Sequence, residues 1–397
     1  MPFTRSAFAS LLEPLDRRVI ARAVRAVRAH EGDHGVGGGE NAWTCERHLK
    51  TMLFAQFAGL KSLREIVEGL GAQSAAFYHL NLRAPCRSTL SDANRERPAA
   101  VFGDIATALI PVAARALRQE GEALIRLLDS SPIPLKGNRF AWARANARTR
   151  GLKLHLLHDP RQGRPVWFEV TSAKVDDVVA GRAVPLEAGA TYVFDKGYTD
   201  YRWWSQILAA GAFFVTRRKR NAHCREIGEP PAQGDGILFD RRLKIGHRQP
   251  RGGAALNPLY DVSLREIVVA RPDKDEPLHL LTNDLDRPAV EIARLYKERW
   301  DIELLFKWIK QNLKIRSFLG RSENAVRLQI YVALIAFMLL GILHHTAARG
   351  FRASTALLLT QIKIALFSPF RLQKTAKPPP KPPSLRPPNS QTCLAFQ

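Results

Sequence analysis

Two short apolar, β-prone runs that each end in an aspartate constrain the fold of this chain more than any other feature. Ala123 to Leu128 leads into Asp129, and Thr191 to Phe194 leads into Asp195. Open sheets with parallel strands place their chemistry just outside the carboxyl ends of those strands. We therefore expect an α/β fold in which Asp129 and Asp195 lie together at one edge of a sheet.

The chain around these two aspartates predicts further strands. Leu152 to His158 and Val166 to Thr171 are expected to form a hairpin, because the linker DPRQGR between them has turn composition. Val178 to Pro185 predicts a short helix. We interpret residues 206–285 as a β-rich insertion with its own basic cluster, Arg217 to Arg220. Its expected strands are Ala212 to Thr216, Gly236 to Phe239, Arg242 to His247, Leu264 to Ala270 and Leu278 to Leu281.

The first 115 residues have helical periodicity. Two amphipathic helices are predicted at Leu49 to Leu60 and Leu63 to Leu70, after a Gly-rich break at residues 35–39. A third helix is expected to begin near Arg87, with a polar and basic exposed side. A small DNA-reading domain and a plain helical dimerisation module both fit this pattern.

The net charge of the chain indicates a polyanionic partner. The 397 residues contain 60 Lys and Arg against 37 Asp and Glu, which gives a formal charge of +23. Such an excess provides sequence-independent affinity for a phosphate backbone. A basic protein from a GC-rich genome, where Arg is frequent, is the alternative explanation.

Compartment signals in the sequence point to the cytoplasm. The four cysteines are scattered without zinc spacing, which is typical of a reduced compartment. The N-terminus has charges inside its apolar stretch and predicts no signal peptide. The longest apolar run, Ile330 to Leu343, is shorter than the roughly 20 residues of a membrane span. We expect it to form a buried core helix in a protein without a membrane partner.

A strong helix is predicted from Pro288 to Leu313. At about 100° per residue, its polar side chains share one narrow stripe, whereas large apolar side chains cover most of the remainder. The stripe consists of Tyr296, Arg299, Glu303, Lys307, Lys310 and Lys314. A solvated face with i,i+4 ion pairs such as Arg299–Glu303 is the simpler interpretation of the stripe alone. Together with Asp129 and Asp195, however, Glu303 is a candidate third carboxylate of an active site.

Three carboxylates are suited to phosphodiester chemistry. Charge must be neutralised on both the entering and the leaving oxygen, and two Mg²⁺ ions held by a few carboxylates do this. Cations beside the carboxylates can then hold DNA phosphates.

The helix and the two aspartates together resemble a known family. Residues 296–310, YKERWDIELLFKWIK, have the spacing Y-x2-R-x3-E-x6-K. This spacing resembles the Y-R-E-K signature of DDE insertion-sequence transposases, specifically insertion sequence family four. Asp129 in LLDSSPIPL and Asp195 in VFDKGYTDYRWW resemble the first and second aspartates of these enzymes. LKSLREI, FYHLNL and STLSDANRER resemble the helical domain that precedes the catalytic core in one branch, so the resemblance extends to about residue 350.

This resemblance implies an RNase H-like catalytic core, in which a mixed sheet flanked by helices is interrupted by the β-rich insertion and preceded by an all-α domain. Asp129, Asp195 and Glu303 would bind two Mg²⁺ ions, and Mn²⁺ would substitute for them. The expected reaction is hydrolytic nicking at the element ends, followed by attack of the freed 3′-hydroxyl on target DNA. A homodimer in a synaptic complex, associated with the bacterial nucleoid, is the expected assembly.

The resemblance also implies DNA contacts. Tyr296, Arg299 and Lys310 would contact phosphates near the scissile bond, and the neighbouring cations Lys307 and Lys196 are further candidates. Of the adjacent Trp203 and Trp204, one side chain is expected to belong to the core. Trp203 is the candidate for stacking on a flipped base. His155 and His158, which a strand would point to opposite faces, are expected to be core or surface residues rather than metal ligands.

The expected division is 1–115 for the helical DNA-binding domain, 116–205 and 286–350 for the two parts of the catalytic domain, 206–285 for the insertion, and 351–397 for the C-terminal segment. The basic Pro-rich tail, residues 374–388, is unlike a packed dimerisation helix and is expected to be disordered or to result from a frameshift. Two rival functions therefore stay open: a catalytically inactive transposase remnant that regulates by binding DNA, and a stand-alone metal-dependent nuclease.

Overall fold

The computed structural model of this protein describes ten segments of the chain. They are residues 6–27, 42–73, 80–117, 123–146, 150–227, 236–248, 256–271, 274–313, 318–347 and 355–368. The Gly-rich break at 35–39, Lys314 and the Pro-rich tail at 374–388 lie outside the described residues.

The described segments between residues 6 and 117 contain six helices: α1 (Ala7–Leu12), α2 (Arg17–Ala26), α3 (Cys45–Ala58), α4 (Leu63–Ala72), α5 (Arg87–Glu96) and α6 (Ala99–Ala116). Thr44 and Ser62 cap α3 and α4, because their hydroxyls accept hydrogen bonds from backbone N–H groups in the first turn of each helix. Gly59 ends α3 in the left-handed conformation, with φ at 73°. The two amphipathic helices predicted in this region and the helix start at Arg87 are confirmed.

Within the described residues, nine strands form a single mixed sheet. They are β1 (Ile125–Pro134), β2 (Gly151–Asp159), β3 (Arg164–Ser172), β4 (Thr191–Phe194), β5 (Phe213–Arg217), β6 (Cys224–Ile227), β7 (Ile237–Ile245), β8 (Leu264–Val269) and β9 (Leu278–Thr282). Their order is β3-β2-β1-β4-β5-β9-β8-β7-β6. β1, β4 and β5 are mutually parallel, whereas β2 and β3 form the predicted antiparallel hairpin beside β1. Three antiparallel strands followed by two parallel ones, with helices on both faces, are the expected RNase H-like core.

The inserted strands extend the sheet of the core. β9 pairs with β5 in antiparallel fashion, and β8, β7 and β6 follow outward. The two strands predicted at residues 236–239 and 242–247 are one strand, β7, with a register irregularity near Ile237. β5 was expected in the insertion, but it pairs with β4 and completes the parallel part of the core.

The remaining helices are α7 (Asp177–Gly181), α8 (Tyr201–Ala209), α9 (Ala289–Glu298), α10 (Trp300–Asn312), α11 (Glu323–Ala347) and α12 (Thr355–Ile364). The single helix predicted from Pro288 to Leu313 is wrong at one point, because α9 and α10 meet at Arg299. The N–H group of Arg299 donates to the carbonyl of Tyr296, three residues back, rather than four. This tighter 3₁₀-type turn interrupts the α-helical ladder.

Each face of the sheet has its own apolar core. Leu127 packs with α9, α10, α11 and the N-terminal helices, whereas its neighbour Leu128 packs with α8 on the opposite face. α11 contacts α6, α3, α5 and β3, so the N-terminal helices and the catalytic sheet share one core through this helix. By length and composition, α6 and α11 could each cross a membrane, but the apolar stretch of α11 is 83% buried within the protein. The core helix expected around Ile330 to Leu343 is therefore confirmed.

Candidate active site

The two strand-associated aspartates lie at the same level of two neighbouring parallel strands. Leu128 of β1 is the register partner of Phe194 of β4, so Asp129 and Asp195 follow equivalent positions. The prediction that a strand ends at Asp129 is wrong, because β2 pairs with β1 as far as Pro134. The parallel pairing between β1 and β4 ends at Leu128 and Phe194. The two strands are no longer paired beyond this point, and both carboxylates lie there.

Both aspartates face the side of the sheet that α9 and α10 cover. Asp129 alternates with Leu128 and therefore shares the face of Leu127, which packs into the core with these helices. Asp195 follows Phe194, which belongs to the opposite core. The two side chains are partly exposed, with 19% accessibility for Asp129 and 35% for Asp195. They form the floor of a site whose roof is the α9–α10 junction.

Arg299 connects two of the three predicted carboxylates. One of its guanidinium nitrogens, Nη2, lies 2.6 Å from Oε1 of Glu303, and the other, Nη1, lies 3.5 Å from Oδ2 of Asp129. The turn at Arg299 places its side chain over β1, while Glu303 follows one turn later on α10. The arginine therefore holds the carboxylates of β1 and α10 through one cation.

Tyr296 and Arg217 approach the remaining aspartate. The hydroxyl of Tyr296 donates to Oδ1 of Asp195 at 3.4 Å, and Nη1 of Arg217 lies 3.9 Å from the same oxygen. Thr216 is the register partner of Phe194, so Arg217 ends β5 at the level at which Asp195 follows β4. Each aspartate thus has a cation beside it, and Tyr296 adds a hydroxyl donor at Asp195.

Burial and mutual repulsion act on the carboxylates of the site. Desolvation raises the pKa of Asp129 to about 6, against the lowering effects of the Ser130 N–H group and Arg299. The negative charges of Glu303 and Asp195 raise it further. Glu303 and Asp195 are therefore each close enough to Asp129 to act on it electrostatically. Burial also raises the pKa of Tyr296, which stays a neutral hydroxyl donor at physiological pH.

The donor set of the site fits a divalent metal ion. Carboxylate oxygens are the ligands that Mg²⁺ and Mn²⁺ prefer, and two of these carboxylates already enclose a guanidinium cation. Within the described part of the chain, no three acidic, histidine or cysteine side chains converge closely enough to hold one ion. Arg299 stands between Asp129 and Glu303, so this guanidinium must move before both carboxylates can share a metal.

The predicted lysines surround the site at different distances. Lys196 is exposed in the 3₁₀ turn Lys196–Tyr198, directly after Asp195. Lys307 is exposed on α10, one turn beyond Glu303, and Lys310 is half-buried one turn later. They follow Asp195 directly or lie one and two turns beyond Glu303, and these positions flank the carboxylates.

The structure contradicts the predicted DNA contact of Trp203. Its side chain is 1% exposed and packs with Phe194 and Tyr198, on the face of the sheet opposite the carboxylates. Trp204 is equally buried, so both indoles belong to the core. The apolar face of α8 explains this, since a helix packed on a sheet buries the side chains of one stripe.

The histidines discounted as metal ligands are core residues. His155 and His158 are buried in β2, and burial lowers the pKa of each to about 4. The hydroxyl of Thr171 is 2.9 Å from Nε2 of His155. Neither ring contacts the three carboxylates.

A basic cleft beside the site was not predicted from the sequence. Its volume is about 620 Å³, and it lies between α9 and the strands β5 and β9. We call it the insertion-side cleft, and its cationic lining is Arg217, Arg271, Lys274, Arg294, Lys297 and Arg299. Trp300 also lines it, with 55% of its side chain exposed. The basic run Arg217 to Arg220 is a sequence signal for this cleft, but the place of Arg217 in it depends on the pairing of β5 with β4.

Sequence profiles of two families match the chain. The profile described as the transposase DDE domain matches residues 120–339, which include all three carboxylates. A profile described as a domain of unknown function matches residues 4–83, within the N-terminal helices.

Individual relatives are similar over much of the chain. A protein of Sinorhizobium fredii named as the transposase y4zB is 45% identical over 77% of this chain and 84% of its own length. A protein of Geobacillus stearothermophilus, named as a transposase for insertion sequence element IS5377, is 26% identical over 54% of this chain and 55% of its own length. Among solved structures, the piggyBac transposase synaptic complex with hairpin DNA aligns with 93% of this chain and 82% of that chain, at 10% identity and a TM-score of 0.48.

Proposed function

Because this chain belongs to the transposase DDE domain family, we propose that it cuts DNA at the ends of an insertion sequence and joins the freed ends to target DNA. The observation that carries the proposal is the grouping of Asp129, Asp195 and Glu303 around Arg299 and Tyr296. These are the residues whose pattern resembles the signature of insertion sequence family four, and we place the chain in that branch.

The family depends on divalent metal ions, and we propose two Mg²⁺ ions for this chain, with Mn²⁺ as a substitute. Asp129, Asp195 and Glu303 would hold them. Bound there, such ions would supply activation of the attacking water or 3′-hydroxyl and neutralisation of charge on the leaving oxygen. A Ser, Tyr or Cys nucleophile is not needed, and Tyr296 acts as a hydrogen-bond donor.

The cationic side chains of the site would bind phosphates. Arg299 lies 3.5 Å from the carboxylate of Asp129 and Arg217 lies 3.9 Å from that of Asp195, so each can contact a phosphate next to the scissile bond. Tyr296 would fix the same phosphate through its hydroxyl. Lys196, Lys307 and Lys310 would hold the strand further away, since they flank the site.

We propose a division of labour along the chain. The helices up to about residue 115 would bind DNA sequence-specifically, the two parts of the RNase H-like core would carry out the chemistry, and the strands β6 to β9 would support the insertion-side cleft. β5 is better assigned to the core, because it supplies Arg217 beside Asp195. A homodimer would bring two element ends together in the cytoplasm, at the nucleoid.

A joining assay tests this proposal. The purified protein is incubated with Mg²⁺, a labelled duplex carrying the element end, and a supercoiled plasmid as target. The transposase activity predicts a nick at the element boundary and transfer of the label to the plasmid. Nicking without transfer would indicate a stand-alone nuclease, whereas binding without a nick would indicate a regulatory remnant.

A further inference from the structure

A second basic cleft lies at the far ends of the two elements that carry Asp129 and Glu303. β1 continues past Asp129 to Pro134, α10 continues past Glu303 to Asn312, and the chain beyond each lines a cleft of about 930 Å³. We call it the distal cleft, and its principal lining residues are Lys136, Arg139, Phe140, Phe318, Leu319 and Arg321. None of these residues belongs to the active site described above.

In the part of the chain that the structure describes, the cations of the distal cleft have no acidic partner. Lys136, Arg139 and Arg321 are exposed, and none forms an ion pair within the segments that the structure describes. Three unneutralised positive charges around one cleft attract an anion with several charges, and a nucleic acid backbone is such an anion. Phe140, Phe318 and Leu319 add apolar side chains to the lining of the cleft.

Hydrogen bonds fix both walls of the cleft. The indole N–H of Trp142 donates to the carbonyl of Arg321 at 2.8 Å, which ties the chain after β1 to the chain before α11. The guanidinium of Arg150 donates to Oδ1 of Asn138 at 3.1 Å. The cations are therefore presented from a braced framework rather than from isolated loops.

The distal cleft also leads to the N-terminal helices. A smaller groove of about 320 Å³ shares Leu319 and Arg321 with it and is otherwise lined by residues that include Ser91 and Arg95 of α5. The exposed side of this helix is polar, and its Arg95 is paired with Asp92 and Glu96. The two grooves thus form one path from α5 to the end of β1.

The spacing between the carboxylates and the distal cleft matches a short length of duplex. Five residues of strand from Asp129 to Pro134 span about 17 Å, and ten residues of helix from Glu303 to Leu313 span about 15 Å. At 3.4 Å per base pair, this is about five base pairs of DNA. The insertion-side cleft lies on the other side of the carboxylates, where Tyr296 and Trp300 line it.

We propose that the distal cleft binds the phosphate backbone of the duplex being cut, about five base pairs from the scissile phosphate. The proposal rests on the proposed function, because it takes the carboxylates as the point of cutting. The two clefts then hold the duplex on either side of the site. Contacts at both sides fix which phosphodiester bond reaches the carboxylates, whereas contacts at one side would allow the duplex to shift.

The test compares two triple variants of equal charge. Lys136→Gln, Arg139→Gln and Arg321→Gln remove the distal cleft cations, and Lys174→Gln, Arg202→Gln and Lys363→Gln remove three exposed cations on other surfaces. Each triple variant lowers the formal charge from +23 to +20. Binding to labelled duplexes with the element boundary is measured by fluorescence anisotropy at several salt concentrations. The duplexes extend either three or ten base pairs beyond the boundary on each side.

The distal cleft variant is expected to bind the long duplex at least about tenfold more weakly than the control variant, with a salt dependence shallower by about 2.7 in log–log slope. The two sides of the duplex are shortened separately. Shortening the side that reaches the distal cleft is expected to lower the affinity of the wild type to that of the distal cleft variant, whereas shortening the other side is not. Equal affinities of the two triple variants on every duplex would overturn the inference. The inference would also be overturned if the distal cleft variant bound and nicked the element end normally and lost only the joining step, because the cleft would then hold target DNA.

Wild-type nicking in Mg²⁺ separates this inference from the function on which it rests. If the wild type cuts at the boundary and the two variants bind alike, only the distal cleft assignment fails. If the wild type binds but never cuts, the proposed function fails, whatever the difference between the variants.

Discussion

At the scale of single residues, Arg299 is the most informative side chain of the protein. It contacts Glu303 and Asp129 from a turn that interrupts the α9–α10 ladder. A guanidinium between two carboxylates stabilises their negative charge in the metal-free protein, and it competes with any metal ion for the same oxygens. In the cutting complex the arginine would bind a phosphate and leave the carboxylates to the metal.

Arg299→Gln is therefore expected to have opposite effects on metal binding and on cutting. Mn²⁺ affinity of the DNA-free protein should rise about tenfold, which is about 1.4 kcal/mol, because a competing cation is lost. Nicking of an element-end duplex should fall at least about a hundredfold, because a charged donor to the reacting phosphate is lost. Isothermal titration calorimetry and a nicking assay measure the two effects.

Lys307→Gln is the matched control for this experiment, since it removes one positive charge from the same helix beyond Glu303. Its Mn²⁺ affinity is expected to stay within a factor of two of the wild type. Weaker Mn²⁺ binding in Arg299→Gln would contradict the competition and would indicate that Arg299 organises the ligands.

Trp203 and Trp300 are expected to have different roles, Trp203 in the core and Trp300 in contact with DNA. Trp203→Ala should destabilise the protein by about 3–5 kcal/mol, because it leaves a cavity in the core against Phe194. Trp300→Ala should leave the unfolding free energy nearly unchanged and weaken DNA binding by about 1–3 kcal/mol, because an exposed aromatic in a basic cleft can stack on a base. Urea unfolding and fluorescence anisotropy distinguish the two, and a loss of DNA affinity in fully folded Trp203→Phe would contradict the assignment.

At the scale of elements, the strands and helices with strong local signals were predictable. Thr191–Phe194 and the β2–β3 hairpin follow from apolar runs and turn composition alone, because the residues that determine a buried strand or a turn are close together in the sequence. The break at Arg299 was not predictable, since its backbone angles remain helical and the change is confined to the hydrogen bonds Arg299 to Tyr296 and Ile302 to Arg299. β6 was not predicted either, because it is a short edge strand with few buried side chains and no apolar run.

The residues of the site are brought together by strand pairing, which the sequence does not predict. Asp129, Asp195 and Glu303 could be named from their patterns, but Arg217 could not, because its role depends on β5 lying next to β4. The distal cleft is a similar case, since its walls come from segments about 180 residues apart, as in the Trp142–Arg321 hydrogen bond. Non-local contacts of this kind leave no periodic signal.

Buried histidines on α3 and β2 predict the pH dependence of stability. Burial lowers the pKa of His48 to about 3 and those of His155 and His158 to about 4, from an ordinary value of 6.5. The unfolded chain takes up these protons below pH 6.5, whereas the folded protein does not. The stability that they contribute is therefore present above pH 6.5 and is lost as the pH falls, by about 1.4 kcal/mol per pH unit for each histidine.

His48→Gln is expected to reduce this acid sensitivity, since its amide can still donate to Oδ1 of Asn94, which lies 2.9 Å from Nε2 of the histidine. Guanidinium unfolding at pH 7 and pH 5 should show a smaller loss of unfolding free energy in this variant than in the wild type. An equal loss in both proteins would mean that His48 is not a source of the pH dependence.

At the scale of the whole molecule, α11 unites the N-terminal helices and the catalytic sheet. It is almost wholly buried, and its apolar side chains contact both units in one continuous core. The N-terminal helices are thus unlike a tethered module, and the position of α5 relative to the carboxylates is fixed by packing. In our proposal, this packing keeps the distance between the distal cleft and the carboxylates constant, and so fixes which phosphodiester bond is cut.

The shared core predicts a single cooperative unfolding transition. Leu53→Ala in α3 removes a fully buried side chain and should cost about 2–5 kcal/mol, and it should shift the entire transition to lower temperature. Differential scanning calorimetry measures this directly. A separate low-temperature transition, confined to the N-terminal helices, would contradict the shared core.

The central claim is that Asp129, Asp195 and Glu303 together form a metal-dependent DNA-cutting site. Its most direct measurement is the nicking rate of a labelled element-end duplex in Mg²⁺, for the wild type and for Asp129→Asn, Asp195→Asn and Glu303→Gln. The account predicts boundary nicking by the wild type and losses of at least about a thousandfold in each variant, with DNA binding in calcium retained. Wild-type nicking that persists in any of the three variants would contradict it, because the cut would then come from another site.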